Sequence, residues 1–318
     1  SSGGSRVKPS EKGMKMKIKN PVPITNIGDP YVFYNRGKYY LYATSHFNGY
    51  YCWTSENLSD WEGPYTCYKA SSRSFGNSCF WAPEVYEFDG KYYMYYTAQW
   101  KIYKEEALRI GVAVAEHPLG PFEDVHEERP MFDFRYGALD AHILKDGETN
   151  YLYYSRAGAD HFVNGARESE IYVVRLGKDY VSVEGEGKQI LRPEQPWERA
   201  ANENNQYWNE GAFVVKQGGK YHMMYSANYF ASRDYGIGGA VADDPMGPFV
   251  KYEDNPVLSG SDKISGPGHN SVVQSPEGEY YCVYHAHTDC NNPSGDRQVY
   301  IVPLYFENGR IRVTHPDI

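Results

Sequence analysis

Internal repetition constrains this chain more than any other feature. A short apolar strand, a glycine-centred turn and a Tyr-rich strand recur five times, as DPYVFYNRGKYYLYAT, APEVYEFDGKYYMYYT, DAHILKDGETNYLYYS, GAFVVKQGGKYHMMYS and NSVVQSPEGEYYCVYH. The turn glycines are Gly37, Gly90, Gly147, Gly219 and Gly278, so successive copies are 53, 57, 72 and 59 residues apart. Each copy reads as a β-hairpin, with β-branched and aromatic residues flanking a turn that tolerates positive φ. Further strand-like runs follow, among them IGVAVAE (110–116), IYVVRLG (171–177), GIGGAVA (236–242) and VYIVPLYF (299–306). Each unit therefore holds about four strands, the size of a propeller blade. EHPLGPFED and DDPMGPFVKY mark the same turn in the second and fourth units, and SENLSDWEGPY is similar in the first. One blade cannot bury both faces alone. The expected fold is thus all-β: a five-bladed β-propeller of four-stranded antiparallel blades around a central channel, spanning residues 21–318. A large β-sandwich is the competing architecture, but nothing in a sandwich requires such a repeat.

Residues 1–20, opening SSGGSRVKPSEKG, read as a flexible N-terminal tail or a cloning remnant. Met14 or Met16 reads as a native start, which favours a cytoplasmic location; a secreted protein whose signal has been removed is the alternative. No run approaches the roughly 20 apolar residues that cross a bilayer, so no membrane partner is expected and the chain reads as soluble. Lys plus Arg number 32 against 41 Asp plus Glu, a net charge of −9, which repels a phosphate backbone and argues against a nucleic-acid partner. The five cysteines form no CxxC pair and no zinc-like cluster, and read as buried free thiols.

The first strand of each blade lines the channel, so a polar residue at its start points into shared space. Counting back six to nine residues from each turn glycine gives Asp29, Glu84, Asp140, Glu210 and His269. Singly each has a plain explanation. Asp29 precedes Pro30, a common turn starter; Glu84 follows Pro83 and has backbone amides within reach; Asp140 and Glu210 sit among apolar strand residues that make an unpaired acid costly. Recurrence in separate repeats favours one shared site. Clustered carboxylates push at least one pKa upward, which leaves a protonated acid beside an ionised base. Glycoside hydrolysis needs that pair: an acid to protonate the leaving oxygen and a carboxylate to activate water or to attack.

The motifs GDPYV (28–32), WAPEVY (81–86), LDAHI (139–143), NEGAF (209–213) and GPGHNSV (266–272), one per blade, resemble those of glycoside hydrolase family 43, a five-bladed propeller family. The resemblance implies that Asp29 is the general base that activates water, Glu210 the general acid, and Asp140 the third carboxylate that orients the acid and raises its pKa. It implies inversion, for which the carboxyls of Asp29 and Glu210 should stand roughly 6.5–9.5 Å apart. It implies no cofactor for the chemistry. His269 resembles a channel histidine that in some members contacts calcium, a satisfied core histidine being the alternative. Arg297 resembles an arginine directed at substrate hydroxyls, a surface ion pair being the alternative. Aromatic rings near the carboxylates are expected to stack on sugar faces. Trp81, Tyr207 and Trp208 are best placed, with Phe47, Trp53 and Trp100 as further candidates and Glu84 as a polar contact. The implied partner is a pentose-containing plant cell-wall glycan. Several activities share such a site: α-L-arabinofuranosidase, β-xylosidase, arabinan hydrolysis and, more rarely, galactan hydrolysis. Endo-arabinanases more often carry His before the first Asp, and family β-xylosidases carry a further C-terminal domain. An α-L-arabinofuranosidase acting on arabinoxylan or arabinan oligosaccharides is therefore expected, its pocket walled by the insertion at 157–208. A non-catalytic carbohydrate-binding propeller is the alternative from another class, although a pure binder has no use for an acid and a base.

Overall fold

The computed structural model describes residues 17–200 and 205–318. The first blade comprises β1 (Gly28–Asn35), β2 (Lys38–Thr44), β3 (Gly49–Ser55) and β4 (Glu62–Lys69). The second comprises β5 (Gly76–Phe88), β6 (Lys91–Trp100), β7 (Leu108–Ala115) and β8 (Glu123–Asp124). The third holds β9 (Ala138–Asp146), β10 (Thr149–Arg156), β12 (Ala166–Leu176) and β13 (Val183–Leu191), with a two-residue strand β11 (Phe162–Val163) on the extended end of β12. The fourth holds β14 (Gln206–Gln217), β15 (Lys220–Ala227), β16 (Gly236–Ala242) and β17 (Val250–Lys251), and the fifth β18 (Gly268–Gln274), β19 (Tyr280–His287), β20 (Arg297–Glu307) and β21 (Arg310–Val313). The innermost strands β1, β5, β9, β14 and β18 touch in succession, and β18 returns to β1, closing the five-bladed ring. Among the described residues no helix is long and apolar enough to cross a membrane.

The tyrosines explain how the blades adhere. Tyr42, Tyr95 and Tyr153 occupy equivalent places on the second strands of blades one to three. Each ring is buried between blades, and each hydroxyl donates to a backbone carbonyl of the following blade: Pro118, Tyr180 and Pro245. A phenylalanine there would leave those carbonyls unpaired, at a cost of about 1–3 kcal/mol each.

Three features depart from the sequence reading. Blades three and four are not separate sheets. The N-terminal end of β12 runs parallel to that of β14, pairing Arg167 with Gln206, Glu168 with Tyr207 and Ser169 with Trp208, because the 157–208 insertion prolongs both strands past the blade. Residues 1–16 of the expected tail lie outside the described residues, as do 201–204 of the insertion. Residues 17–20, assigned to that tail, are instead tied down, since the Lys19 amide donates to Ser59 Oγ and the Asn20 side chain bonds both backbone groups of Ile301 at 2.8 Å. Finally, all five cysteines are free, but only Cys52, Cys67 and Cys282 are buried, while Cys79, in β5, and Cys290, in the turn after β19, are half-buried.

Candidate active site

Every innermost strand enters the ring through a β-bulge. The ladders slip between Gly28 and Tyr31, Trp81 and Glu84, Leu139 and His142, Glu210 and Phe213, and Gly268 and Ser271. The bulged residues Asp29, Ala82, Asp140, Gly211 and His269 all have left-handed φ, between 41° and 63°. Four of these five are not glycine, so the surroundings must hold them there at about 1–3 kcal/mol apiece. A ring of hydrogen bonds does so. The amides of Ala82, Asp140 and His269 donate to Thr44 Oγ1 (2.9 Å), Thr97 Oγ1 (3.1 Å) and Ser226 Oγ (2.7 Å), and that of Asp29 to His285 Nδ1 (2.9 Å). Each acceptor lies in the C-terminal half of the second strand of the preceding blade. The ring breaks once: the Gly211 amide turns to Asp140 Oδ2 at 3.2 Å, which draws that carboxylate toward the fourth blade.

The residue before each bulge completes the site. Trp81, Leu139 and Glu210 project into one cavity of about 300 Å³, together with Asp29, Asp140 and His269 from the bulges. In the remaining two blades this residue is glycine for a spatial reason. A Cβ on Gly28 would lie 2.1 Å from the Arg297 guanidinium carbon, and one on Gly268 would lie 2.0 Å from the Tyr235 ring. Those glycines let Arg297 and Tyr235 reach the cavity, which both line.

The electrostatics divide the acids. Burial alone would raise Asp29, but Arg297, with Nη1 3.3 Å from Oδ1, and His269, with Nδ1 at 3.1 Å, hold it well below the usual carboxylate range. Burial and then the charge of Asp140 push Glu210 up to about 8, against a hydrogen bond from Tyr235 Oη at 2.8 Å. Burial, with the charges of Asp29 and Glu84, raises Asp140 to about 6, although His269 opposes it. Burial disfavours a charge on His269, yet Asp29 and Asp140 lift it to about 10. Near neutrality the site therefore holds an ionised Asp29 and a protonated Glu210.

A family model described as "Glycosyl hydrolases family 43" matches residues 18–311. The chain belongs to glycoside hydrolase family 43. Family members are glycoside hydrolases, and so is this chain. It is similar to a crystal structure of a thermostable family-43 glycoside hydrolase, with 45% identity, a TM-score of 0.89 and coverage of 94% of this chain and 96% of the other. Its curated relatives include a β-D-galactofuranosidase of Aspergillus niger, 29% identical over 93% of this chain and 84% of that protein. A xylosidase/arabinosidase of Bacteroides ovatus is 26% identical over 94% and 98% of the two chains.

Of the residues singled out in the sequence, Asp29, Asp140, Glu210, His269, Trp81, Trp208 and Arg297 meet in this family-43 cavity. Glu84 does not. It stands beyond the bulge, where Oε1 accepts from Tyr86 Oη and lies 2.9 Å from His142 Nδ1, so it cross-links buried strands. Its supposed equivalence to the other acids fails because the bulge position of that blade is Ala82. Tyr207 packs its ring under the Arg199 guanidinium at 4.3 Å, outside the cavity lining. Phe47 is 82% exposed and packs on His46, also away from the cavity. Trp53 is buried in blade packing and Trp100 packs edge-on against Tyr103. Glu106, Arg167, Glu168, Phe230 and Tyr235 line the cavity without having been singled out. They sit in loops or prolonged strand ends that carry no repeat signal, so only the fold reveals them.

The calcium suggested for the channel finds no fitting donor set. Calcium takes six to eight oxygens. His269 turns Nδ1 to Asp29 at 3.1 Å, and among the described residues no group of three His, Cys, Asp or Glu is placed to hold a metal ion.

Proposed function

We propose that this chain is an inverting glycosidase that removes a terminal pentose, acting as an α-L-arabinofuranosidase on arabinoxylan or arabinan oligosaccharides, with residues 21–318 as its single catalytic unit. One observation carries the reading: a single cavity holds an aspartate kept ionised and a glutamate kept protonated. In this reading Asp29 takes a proton from water, the water oxygen bonds to the anomeric carbon, the glycosidic bond breaks, and Glu210 delivers its proton to the departing oxygen. Asp29 and Glu210 come from the first and fourth blades, which are not neighbours in the ring, and this separation suits a water placed between base and sugar. Asp140, bound to the Gly211 amide beside Glu210, supplies the charge that keeps the acid protonated. Trp81 and Trp208 offer faces for the sugar ring. Arg297 both holds Asp29 ionised and presents further donors to substrate hydroxyls. The relatives support a small pentose or furanose ring, since one is named for xylose and arabinose and another for galactofuranose.

The test is turnover of nitrophenyl α-L-arabinofuranoside against nitrophenyl β-D-xylopyranoside, with the product anomer read by NMR. Preference for the furanoside with inverted configuration is expected. Preference for the xylopyranoside would make the chain a β-xylosidase, and retained configuration would remove Asp29 as a water-activating base. Sugar binding without turnover on either would favour the lectin-like alternative.

The pH dependence follows from the same groups. Glu210 must keep its proton, so kcat/KM should fall as pH rises through about 8. Asp29 is ionised far below neutrality and Glu210 keeps its proton on the acid side, so activity should hold toward acid pH until Asp29 itself protonates, while the alkaline limb depends on the Asp140 charge that lifts Glu210. Asp140→Asn should therefore shift the alkaline limb of the profile toward lower pH. An unmoved limb would show that Asp140 does not tune Glu210.

A further inference from the structure

Each bulge has a partner within its own blade. Opposite the residue that precedes it, the second strand carries Thr44, Thr97, Ser155, Ser226 or His285, paired in turn with Gly28, Trp81, Leu139, Glu210 and Gly268. Four of these five side chains hold the bulge amide of the next blade. Ser155 does not: the Gly211 amide has gone to Asp140, and the Ser155 hydroxyl is buried without a partner. Thr44 has a second bond, to a carboxyl group of the catalytic cavity.

The direction of these bonds fixes where the protons lie. A threonine hydroxyl has one proton to give. Thr44 Oγ1 accepts from the Ala82 amide at 2.9 Å, and its own proton goes to Asp29 Oδ2. The other oxygen of that carboxylate is occupied twice, by Arg297 Nη1 at 3.3 Å and by His269 Nδ1 at 3.1 Å. His285 Nδ1, 3.6 Å from Oδ1, accepts the Asp29 amide and so has no proton to offer it. An ionised carboxylate has about four lone-pair positions, two on each oxygen. Among the described residues three are taken, and the fourth is on Oδ2. Thr44 also bridges two blades, since Ala82 follows Trp81, and Trp81 and Asp29 both line the cavity. One hydroxyl therefore ties the carboxylate to the strand that carries an aromatic face of the site.

We propose that Thr44 is a positioning residue for the base, fixing the Asp29 carboxylate so that the free lone pair of Oδ2 is the one that receives a proton from the attacking water. This rests on the reading of Asp29 as the base and deepens it, naming the atom that takes the proton and the group that aims it. Arg297 and His269 grip a single oxygen, about which the carboxyl can still pivot. The Thr44 bond on the second oxygen removes that freedom. As the water oxygen bonds to the anomeric carbon, its proton passes to Oδ2, the glycosidic bond breaks and the Glu210 proton leaves with the departing oxygen, while Thr44 keeps its own proton throughout. Aim matters here, because a misplacement of about 1 Å can cost on the order of 10²-fold in rate.

Steady-state kinetics on a nitrophenyl pentoside test this. Thr44→Val keeps the shape of the side chain and removes the donor, whereas Thr44→Ser keeps the donor; each is made alone and together with Asp29→Asn. Thr44→Ala, which cannot clash, is run beside the valine. Thr44→Val should lower kcat by roughly ten- to hundred-fold while KM moves by less than about three-fold, and Thr44→Ser should recover most of the loss. In Asp29→Asn protein there is no base left to aim, so adding Thr44→Val should change kcat by less than about two-fold. A loss of the same size in both backgrounds would show that Thr44 only pins the strand. A serine variant no better than the valine one, or a loss confined to KM, would equally overturn the proposal. Failure of the underlying reading is distinct: Asp29→Asn would then turn over like the wild type.

Discussion

Exchanging Glu210 for glutamine lowers kcat on an arabinose-bearing oligosaccharide by roughly 10²–10⁴-fold, the usual contribution of a positioned general acid. The loss on a nitrophenyl arabinofuranoside is expected to be much smaller, because nitrophenolate leaves with little protonic help. The contrast between the two leaving groups separates loss of an acid from loss of fold, and an equal drop on both would dismiss Glu210 as the proton donor. The same change should stabilise the protein. Burial and Asp140 lift Glu210 to about 8 from an ordinary 4.5. Below the ordinary value folded and unfolded chains both hold the proton. As pH rises from there to about 8, the unfolded chain releases a proton that the folded chain must keep, and stability declines throughout that window. Glutamine has no proton to retain, and its amide oxygen still accepts from Tyr235. The advantage of Glu210→Gln should thus grow from about pH 4.5 to 8 and then level off, reaching on the order of a few kcal/mol. Thermal melts at several pH values measure it, and a pH-independent difference would mean that the glutamate is not held protonated.

Five repeated hairpins were sufficient to read a closed ring, because blade packing demands the same pattern of turn glycine and tyrosine each time. The position of the site was legible for the same reason: its side chains stand at the entry of each inner strand. What misled was counting residues from the turn. The bulge places Asp29, Ala82, Asp140, Gly211 and His269 at equivalent points, and two of these carry no functional group. A search for polar residues passes over Ala82 and Gly211 and takes the nearest acid, which in the fourth blade is Glu210, one residue before the bulge and inside the cavity, but in the second is Glu84, beyond it and inside the packing. The walls were illegible for another reason. Glu106 and Tyr235 belong to connections, and Arg167 to a prolonged strand end, that differ from blade to blade, so periodicity is silent about them, and the parallel pairing of β12 with β14 arises from one insertion that has no counterpart elsewhere in the ring.

Behind Glu210, that insertion is secured by a buried charge. Lys251 Nζ donates to Glu198 Oε1 at 2.7 Å and Oε2 at 2.9 Å, to Asn209 Oδ1 at 2.8 Å and to the Arg192 carbonyl at 2.6 Å. Glu198 is fully buried, and it also accepts from the Glu194 and Gln195 amides and from Asn209 Nδ2. Asn209 is the residue next to the proposed acid. Removing the ammonium strands a carboxylate that water cannot reach, so Lys251→Ala should cost about 3–5 kcal/mol and lower Tm by about 10 °C. Replacing both charges, as Lys251→Met with Glu198→Leu, removes the stranded charge and should recover part of that loss, although the Glu194 and Gln195 amides lose their acceptor. The coupling in a double-mutant cycle decides the matter. Additive losses would mean that lysine and glutamate act separately. A large favourable coupling, together with a lower kcat in the single variant, is expected if the pair fixes Asn209 and through it the carboxyl of Glu210.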